Sequence, residues 1–253
     1  MNHSLKLALL SAVMVAACGG GDDLADRLDI ADPAVRLVHA SPNDPTITLQ
    51  REGRALNDAT DVGYKYESNY FDVPERDDID WTVRDVGAGR VIDSRRFDAQ
   101  RGNKYSFVVL ATSATTNGVY AINDPYNKDL TSERTRVRVV NGAYTTTGVD
   151  VYLNAAGTDI TTVAPFIAGT TFMSSQPASG DDSRRLEGGV YQVRITTAGS
   201  KTDVLFAGTI SFGNNQDLLL IPVVNATTPA RVKMLVVIEG ASNRQISELT
   251  DTP

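Results

Sequence analysis

The chain has 253 residues, of which 42% are hydrophobic and 22% are charged, and its formal net charge is −7. This length and composition suit two globular domains of about 100 to 150 residues each. The acidic balance argues against nucleic acid as a partner, because nucleic-acid binders need basic surface to neutralise phosphates. It also argues against electrostatic adhesion to anionic lipid. The single cysteine excludes an internal disulfide.

The first residues have the layout of an export leader. A short polar start with Lys6 precedes an apolar run from Leu7 to Ala17, which is too short for a permanent membrane-spanning helix of about 20 residues. The tetrad Val15-Ala16-Ala17-Cys18 resembles the lipobox of bacterial lipoproteins, in which the cysteine thiol receives a diacylglyceryl group before the leader is removed. The resemblance implies a signal peptide at residues 1–17 and lipidation at Cys18. A plain leader with an incidental cysteine is the alternative.

The residues after the cysteine predict a tether. Three glycines and two aspartates, Gly19 to Asp23, cannot pack a core, so residues 18–33 are expected to form a flexible, solvated segment. Gly19 rather than an aspartate follows Cys18, which by the sorting habit of such lipoproteins indicates the outer membrane in a Gram-negative cell. We therefore expect an exported protein held to a membrane through N-terminal acyl chains.

A strand–turn–strand pattern then occurs twice. Residues 35–50 and 135–153 each alternate apolar and polar side chains on both sides of a turn rich in Gly, Pro, Asn and Thr. Val35 lies 102 positions before Val137 (137 − 35), and the same offset places Ile47 on Val149, so the register is kept across the turn. The repetition predicts a tandem duplication.

Composition sets the limits of the two copies. We expect β-domains at residues 34–124 and 134–240, joined by a polar, proline-containing linker at 125–133, with a frayed polar tail at 241–253. No stretch after the leader keeps an apolar period of 3.6 over the length of a helix, so the mature chain is expected to be almost entirely β.

Later segments of the two repeats also match each other, but the number of residues between matching positions changes. Trp81 and Val83 match Tyr191 and Val193 at 110 positions, which implies eight extra residues (110 − 102) in the second copy. We place them in the loop-like segment 174–189, since insertions settle in surface loops. Two apolar runs predict strands buried on both faces: Phe107–Leu110 and Leu218–Ile221. Residues 119–122 and 232–238 are expected to close the two sheets.

The opening motif resembles a known family. The segment Val35-Arg36-Leu37-Val38-His39-Ala40-Ser41-Pro42-Asn43 with its alternating strand is similar to the start of the bacterial domain-of-unknown-function family 4397 (DUF4397). Val137-Arg138-Val139-Val140-Asn141 resembles the same start in a second copy, without the His-Ala-Ser-Pro part. The resemblance implies an exported or surface protein, often a lipoprotein, with immunoglobulin-like antiparallel β-sandwich domains. It brings no catalytic residue with it.

Three tyrosines form a candidate ligand platform. If the strand alternates regularly, Tyr64, Tyr66 and Tyr70 share one face, where their rings could stack on sugar rings. Burial in the core is the competing interpretation and the favoured one. The offset of 102 places phenylalanines at two of the matching positions, Phe166 and Phe172.

Few residues are suited to catalysis. His39 is the only histidine after the leader, and acylation would leave no free thiol, so thiol proteases and Cys/His zinc sites are excluded. Ser41 lies two residues from His39, but no nucleophile elbow such as G-x-S-x-G accompanies it. We interpret His39 as the end of a strand and the residues after it as a turn.

Two acidic clusters remain. Asp77, Asp78 and Asp80 precede Trp81, and Asp181-Asp182 lie in the extra loop. Such groups can bind calcium or act as an acid/base pair on glycosides, but neither has EF-hand spacing and arginines accompany both. A solvated loop with local charge pairing is the favoured interpretation.

These observations support a non-catalytic, lipid-anchored cell-envelope protein that binds or holds a protein or polymer partner, with no cofactor and no metal. One alternative is a carbohydrate-binding surface lipoprotein that uses the tyrosines. A second is a hydrolase with an unrecognised carboxylate site.

Overall fold

A computed structural model describes residues 31–252 with gaps at 44, 74–75, 127–133 and 240–243, and gives no side-chain description for 76–77. The leader, Cys18 and most of the tether therefore lie outside the described residues, and what we predict for them stays a prediction. Within the described ranges, no helix combines the length and the hydropathy that crossing a membrane requires.

The chain is built from strands, with two single-turn 3-10 helices at Asn57–Ala59 and Ile160–Thr162. The first half contains β1 (Ala34–His39), β2 (Ile47–Arg51), β3 (Arg54–Ala55), β4 (Tyr66–Glu67), β5 (Phe71–Asp72), β6 (Arg76–Asp85), β7 (Arg90–Ala99), β8 (Asn103–Ala111) and β9 (Asn117–Pro125).

The second half has a similar but not identical order of elements. It contains β10 (Thr135–Val140), β11 (Gly148–Asn154), β12 (Ile167–Thr171), β13 (Ser175–Gln176), β14 (Arg184–Leu186), β15 (Gly189–Thr197), β16 (Val204–Phe212), β17 (Asp217–Val224), β18 (Val232–Ile238) and β19 (Ser247–Glu248). The expected all-β class is confirmed.

In the described part of the chain the strands form four sheets. Sheet A has the order β4-β1-β8-β9, with β5 also on β1, and sheet B has the order β3-β2-β6-β7. Sheet C has the order β13-β10-β17-β18-β19, with β14 also on β10, and sheet D has the order β12-β11-β15-β16. One hydrophobic core lies between sheets A and B and another between sheets C and D.

Each half is thus a sandwich-like pair of sheets, but the sheets are not wholly antiparallel as expected. β1 runs parallel to β8, with Val35 opposite Tyr105, and β10 runs parallel to β17, with Val137 opposite Leu218. Alternation of side chains could not reveal this, because it is the same in parallel and antiparallel strands.

A third apolar cluster joins the two halves. It combines outward-facing side chains of sheet A with outward-facing side chains of sheet C, so the layers follow the order B, A, C, D. Residues that the sequence comparison aligned with each other meet here: Val38 and Val140 from the first strands, and Val108 and Leu219 from the central ones. This is why the runs at Phe107–Leu110 and Leu218–Ile221 are buried on both faces, as the sequence predicted.

The extra residues of the second half are not all where we placed them. The N–H groups of Lys65 and Met173 donate to the matching carbonyls of His39 and Asn141, so the offset has already reached 108 (173 − 65) before β13. Most of the insertion therefore precedes segment 174–189, between β11 and β12. That segment is itself not a simple loop, because β13 and β14 lie at its ends and pair with β10.

The C-terminal residues differ from the frayed tail that we expected. Ser247 and Glu248 pair with Val236 and Leu235 of β18, and the Thr252 N–H donates to the Ala207 carbonyl of β16 at 2.7 Å. The described tail residues therefore cover the side of the C–D sandwich between β18 and β16. Polar composition misled the prediction because a segment on a sheet edge needs few apolar side chains.

Candidate functional site

A network of buried charges lies where sheets A and C face each other. It starts from the arginines of the two opening motifs, whose side chains point away from the sandwich cores and are covered by the opposite half. Arg36, Arg136 and Arg138 are each less than 8% exposed. Isolated buried charges are costly, so each arginine requires partners.

Arg36 bonds within the first half. Its Nη1 donates to Glu67 Oε2 at 3.2 Å, its Nε donates to Ser106 Oγ at 2.9 Å, and its guanidinium lies 4.8 Å from the ring centroid of Tyr70. Burial raises the pKa of Glu67 to about 7 although Arg36 lowers it, and burial raises the pKa of Tyr70 to about 12. Burial therefore determines the direction of both shifts.

The other two arginines link the halves. Arg136 Nη2 donates to Asp124 Oδ1 at 2.7 Å, and its guanidinium lies 4.6 Å from the ring centroid of Tyr126. Arg138 Nη2 reaches Asp124 Oδ1 of the first half at 3.4 Å, and Arg138 donates to the carbonyls of Pro177, Ala178 and Asp181 within its own half at 2.6, 2.7 and 2.5 Å. These contacts fix the segment between β13 and β14. The cavity within this network has a volume of only about 20 Å³, which is too small for a ligand. The network therefore serves to hold the two halves together.

His39 closes a turn. Its Nδ1 accepts the N–H of Ser41 at 3.4 Å, so Nε2 carries the proton and donates to the Pro45 carbonyl at 2.7 Å. The Ser41 hydroxyl donates to Asn117 Oδ1 at 2.5 Å instead of to the imidazole. Asn141, at the matching position, accepts the N–H of Ala143 in the same way. The geometry gives His39 and Ser41 structural contacts and no nucleophile–base pairing.

The three candidate tyrosines do not share a face. Lys65 has a positive φ of 64°, which interrupts the alternation on which the predicted row depends. Tyr64 packs into the cluster between sheets A and C, whereas Tyr66 packs against the core between sheets A and B and donates to the Asp58 carbonyl. Tyr70 lies over Arg36. The alignment with phenylalanines also fails, because the true offset at Lys65 is 108.

The structure does not bring together the two acidic clusters that the sequence suggested as calcium or acid/base sites. Asp80 forms a bidentate ion pair with Arg96, whose Nε and Nη2 donate to its two carboxylate oxygens at 2.7 and 2.8 Å. Asp78 is exposed and has a positive φ of 59°. The side chain of Asp77 lies outside the described residues. Asp181 and Asp182 are exposed, and the structure uses the Asp181 carbonyl to hold Arg138. Among the residues that the structure describes, no three His, Cys, Asp or Glu side chains are grouped to hold a metal.

A groove on the first half is the best candidate for ligand binding. It has a volume of about 410 Å³ and lies between β7, the last strand of sheet B, and β9, the last strand of sheet A. We call it the β7–β9 groove. Phe97, Tyr105 and Phe107 form its apolar floor, and Asp98, Gln100 and Asn123 belong to its polar rim. An apolar cleft with a few polar groups at its margin is typical of ligand sites.

The floor is a continuous aromatic cluster. The ring centroids of Phe97 and Tyr105 are 4.7 Å apart, and those of Phe97 and Phe107 are 6.0 Å apart. Beneath them the Trp81 indole stacks on Phe97 at 5.9 Å. Phe97 is only half-buried because no strand of the described chain continues sheet B beyond β7.

Polar groups define the ends of the groove. Arg95 crosses one end, where its Nη2 donates to the Val119 carbonyl of β9 at 3.1 Å. At the other end the backbone of Asn123 bonds to Ser179 and Gly180 of the second half. The Asn123 side-chain oxygen is buried without a hydrogen-bond partner in the described structure, which is unusual for an amide.

Sequence reasoning missed this groove because it joins strands that are distant in the chain. The one local signal was Phe97, an aromatic residue among the charged residues of Arg90–Ala99. The arginine network was also missed. The sequence does contain a sign of this network. In each opening strand an arginine lies on the same face as an apolar residue, Arg36 with Val38 and Arg138 with Val140, and both faces of these strands are buried.

One protein family matches part of the chain. Residues 33–152 match the model described as Domain of unknown function (DUF4397). The match supports the resemblance seen in the opening motif. It is a single segment that covers just under half of the chain, from β1 through most of β11.

Other comparisons add little. No curated protein matches the sequence. A solved carbohydrate-binding module of family CBM26, from Eubacterium rectale Amy13K in complex with maltoheptaose, aligns with 87% of this chain and 97% of its own at 8% identity, with a TM-score of 0.22. A similarity at that TM-score supports no argument about the fold or the ligand.

Proposed function

We propose that this chain, whose residues 33–152 match the DUF4397 family, is an exported, lipid-anchored protein of the cell envelope that binds a protein or polymer partner without catalysis. The mature chain begins at acylated Cys18, and residues 18–33 separate the first domain from the membrane surface. The two halves are tandem immunoglobulin-like sandwiches that descend from one duplicated domain.

The duplication is supported by equivalent contacts at equivalent positions. The residues after the first strand of each half are tied back by the same bonds: His39 and Asn141 both accept the N–H two residues onward. Further along, Trp81 stacks on Phe97 as Tyr191 stacks on Phe212. Two unrelated domains would have no reason to repeat these details.

The observation that carries the binding role is the β7–β9 groove. It combines exposed apolar surface with unused hydrogen-bonding capacity, the two properties that favour a ligand over water. The arginine network contributes rigidity, since it fixes the first half to the second. Because the two sandwiches are held rigidly together, the groove keeps a fixed position relative to the second half.

The anchor is tested by fractionating cells that express the wild type or Cys18→Ser. We expect the wild type in the membrane fraction with a fatty-acylated N-terminal peptide in mass spectrometry, and the variant in the soluble exported fraction without that modification. Equal membrane association of both proteins would refute the proposed anchor.

The binding role is tested by photo-crosslinking in the native cell. A photoreactive amino acid at Asp98, on the rim of the groove, should capture a defined partner. The same amino acid at Val91, which is 48% exposed on the same strand but is not part of the groove, is the matched control. Identical captures from both positions, or none from Asp98, would contradict a site in the groove.

Carbohydrate binding is the second candidate, favoured by the half-buried ring of Phe97 in the groove rather than by the tyrosines. Titration of the mature protein against a glycan panel, with Phe97→Ala for comparison, tests it. Saturable binding that the substitution abolishes would establish a sugar site, and a flat panel would reject one.

A further inference from the structure

The C–D sandwich shows how this chain covers the side of a sandwich that lies between two edge strands. There, Ser247 and Glu248 extend sheet C beyond β18, and the side chain of Leu249 packs against the core. Thr252 reaches β16, the edge of sheet D, through the Ala207 carbonyl. An extended segment with one apolar side chain directed inward is therefore the element that covers this side.

In the A–B sandwich the corresponding side lies between β7 and β9. Arg95 covers the part nearest Val119, and the β7–β9 groove occupies the part further along both strands. No extended segment of the described chain lies there, whereas the described tail covers the matching side of the second half.

The exposed edge of β7 has the hydrogen-bonding groups that an additional strand needs. The Asp80 carbonyl accepts the N–H of Glu52, so the backbone groups of Asp80 face away from β7. Asp80 lies opposite Arg96 in the antiparallel pair β6–β7. Two residues opposite each other in an antiparallel pair have their backbone groups either both toward or both away from the partner strand. The N–H and C=O of Arg96 therefore point outward from sheet B.

The side chains of a strand added there have somewhere to pack. Every second side chain of such a strand would point to the same face of sheet B as Phe97, over the aromatic floor. On the opposite wall, no donor among the described residues reaches the buried Asn123 side-chain oxygen. Main-chain bonds to an edge combined with pockets for alternate side chains are the features of recognition by strand addition.

We propose that the β7–β9 groove binds an extended polypeptide segment of a partner protein, which pairs with the outer edge of β7 and directs apolar side chains at alternate positions onto Phe97 and Tyr105. The inference rests on the proposed binding function and specifies its ligand as a peptide strand. The main chain of the partner supplies the hydrogen bonds, and its alternate residues supply the selectivity.

The test uses the mature chain with Cys18→Ser and a library of seven-residue peptides displayed on phage. Enriched peptides are synthesised and titrated while the fluorescence of Trp81 is followed. Trp81 is the single tryptophan of the chain and stacks on Phe97 in the floor, so a ligand on Phe97 changes its emission. We expect apolar residues at alternate positions and a saturable change in emission.

Two variants at one position isolate the backbone contribution. Arg96→Ala and Arg96→Pro both remove the exposed ion pair with Asp80, but only Arg96→Pro also removes the outward N–H. We expect Arg96→Ala to bind as the parent does and Arg96→Pro to lose about five- to tenfold in affinity, the effect of one hydrogen bond. Methylation of the peptide nitrogen that pairs with β7 should cause a similar loss.

The other outcomes separate this inference from the binding function. Equal affinity of both Arg96 variants, or a polysaccharide that saturates the groove while no peptide binds, overturns strand addition and leaves the binding function. If neither peptides nor polysaccharides bind, both proposals fail. If a protein starting at residue 31 binds peptides and the mature chain does not, the segment before residue 31 is the occupant, and the proposal of a partner strand is overturned.

Discussion

Arg36 Nη1 and Glu67 Oε2 lie 3.2 Å apart on the outer face of sheet A, and both side chains are at least 90% buried. The arginine belongs to the opening motif of the first half, and the glutamate belongs to β4, the short strand beside it. Because an ionised carboxylate is poorly solvated there, burial raises the pKa of Glu67 from its ordinary 4.5 to about 7, and Arg36 only partly offsets this.

This pair predicts a pH dependence of stability. Below about pH 4.5 Glu67 is protonated in both states, and between about 4.5 and 7 the unfolded chain releases the proton while the folded chain keeps it. The contribution of Glu67 to stability should therefore fall by about 3 kcal/mol as pH rises through this window and stay constant above it.

Urea unfolding of the wild type and Glu67→Gln at intervals from pH 4.5 to 8 checks this. The difference in free energy of unfolding between them should move in favour of the variant as pH rises. Glu187→Gln, at a glutamate whose side chain is 72% exposed, is the control and should track the wild type. A constant difference between Glu67→Gln and the wild type over the whole range would refute the raised pKa.

The contacts of Arg138 predict how strongly the second half holds its segment between β13 and β14. Arg138→Ala leaves the carbonyls of Pro177, Ala178 and Asp181 without their charged donor, so we expect a loss of about 3 kcal/mol in the free energy of unfolding. Arg134→Ala, which removes an exposed pair with Glu187, should cost less than about 0.5 kcal/mol. Equal effects in denaturant titrations would show that the buried contacts of Arg138 add nothing.

The strands of this fold could be predicted because their signals are local. Alternation around Val35 and Val137, and an offset that is constant across the first turn, are visible in the sequence and depend only on neighbouring residues. The same locality explains why the outer limits of the two predicted strand–turn–strand patterns, residues 35–50 and 135–153, lie within a residue of the outer limits of β1–β2 and β10–β11.

The candidate site could not be predicted because it depends on which strands end the sheets. Phe97 and Asn123 line one groove only because β7 and β9 are the last strands of two facing sheets, which no local pattern encodes. The tyrosine row failed for a smaller reason. One residue with positive φ, Lys65, was enough to send Tyr64 and Tyr66 to opposite faces of sheet A.

Gly142 tests the close approach of the two halves. A Cβ added there would lie 2.6 Å from Leu110 Cδ2 of the first half and 3.3 Å from the Pro222 carbonyl oxygen, so Gly142→Ala displaces the buried Leu110 side chain at the contact between the halves. Overpacking of this kind should cost about 1–3 kcal/mol, seen as a lower midpoint in thermal unfolding. Gly87→Ala, whose Cβ would meet only Asp85 Oδ1 at 3.7 Å, is the control and should leave the midpoint nearly unchanged.

The second half by itself should self-associate. Its Leu219, Ile221, Leu235 and Val237 are buried in the apolar cluster that sheet C shares with sheet A. A fragment of residues 134–253 would expose this apolar face, and the face of sheet C normally contacts its own counterpart in the other half, so a second copy of the fragment is a ready partner. We expect the fragment to elute from size-exclusion chromatography with light scattering above its monomer mass, and Leu219→Lys with Val237→Lys to lower that mass. A folded monomer of the unmodified fragment would mean that the contact between sheets A and C contributes little to burial.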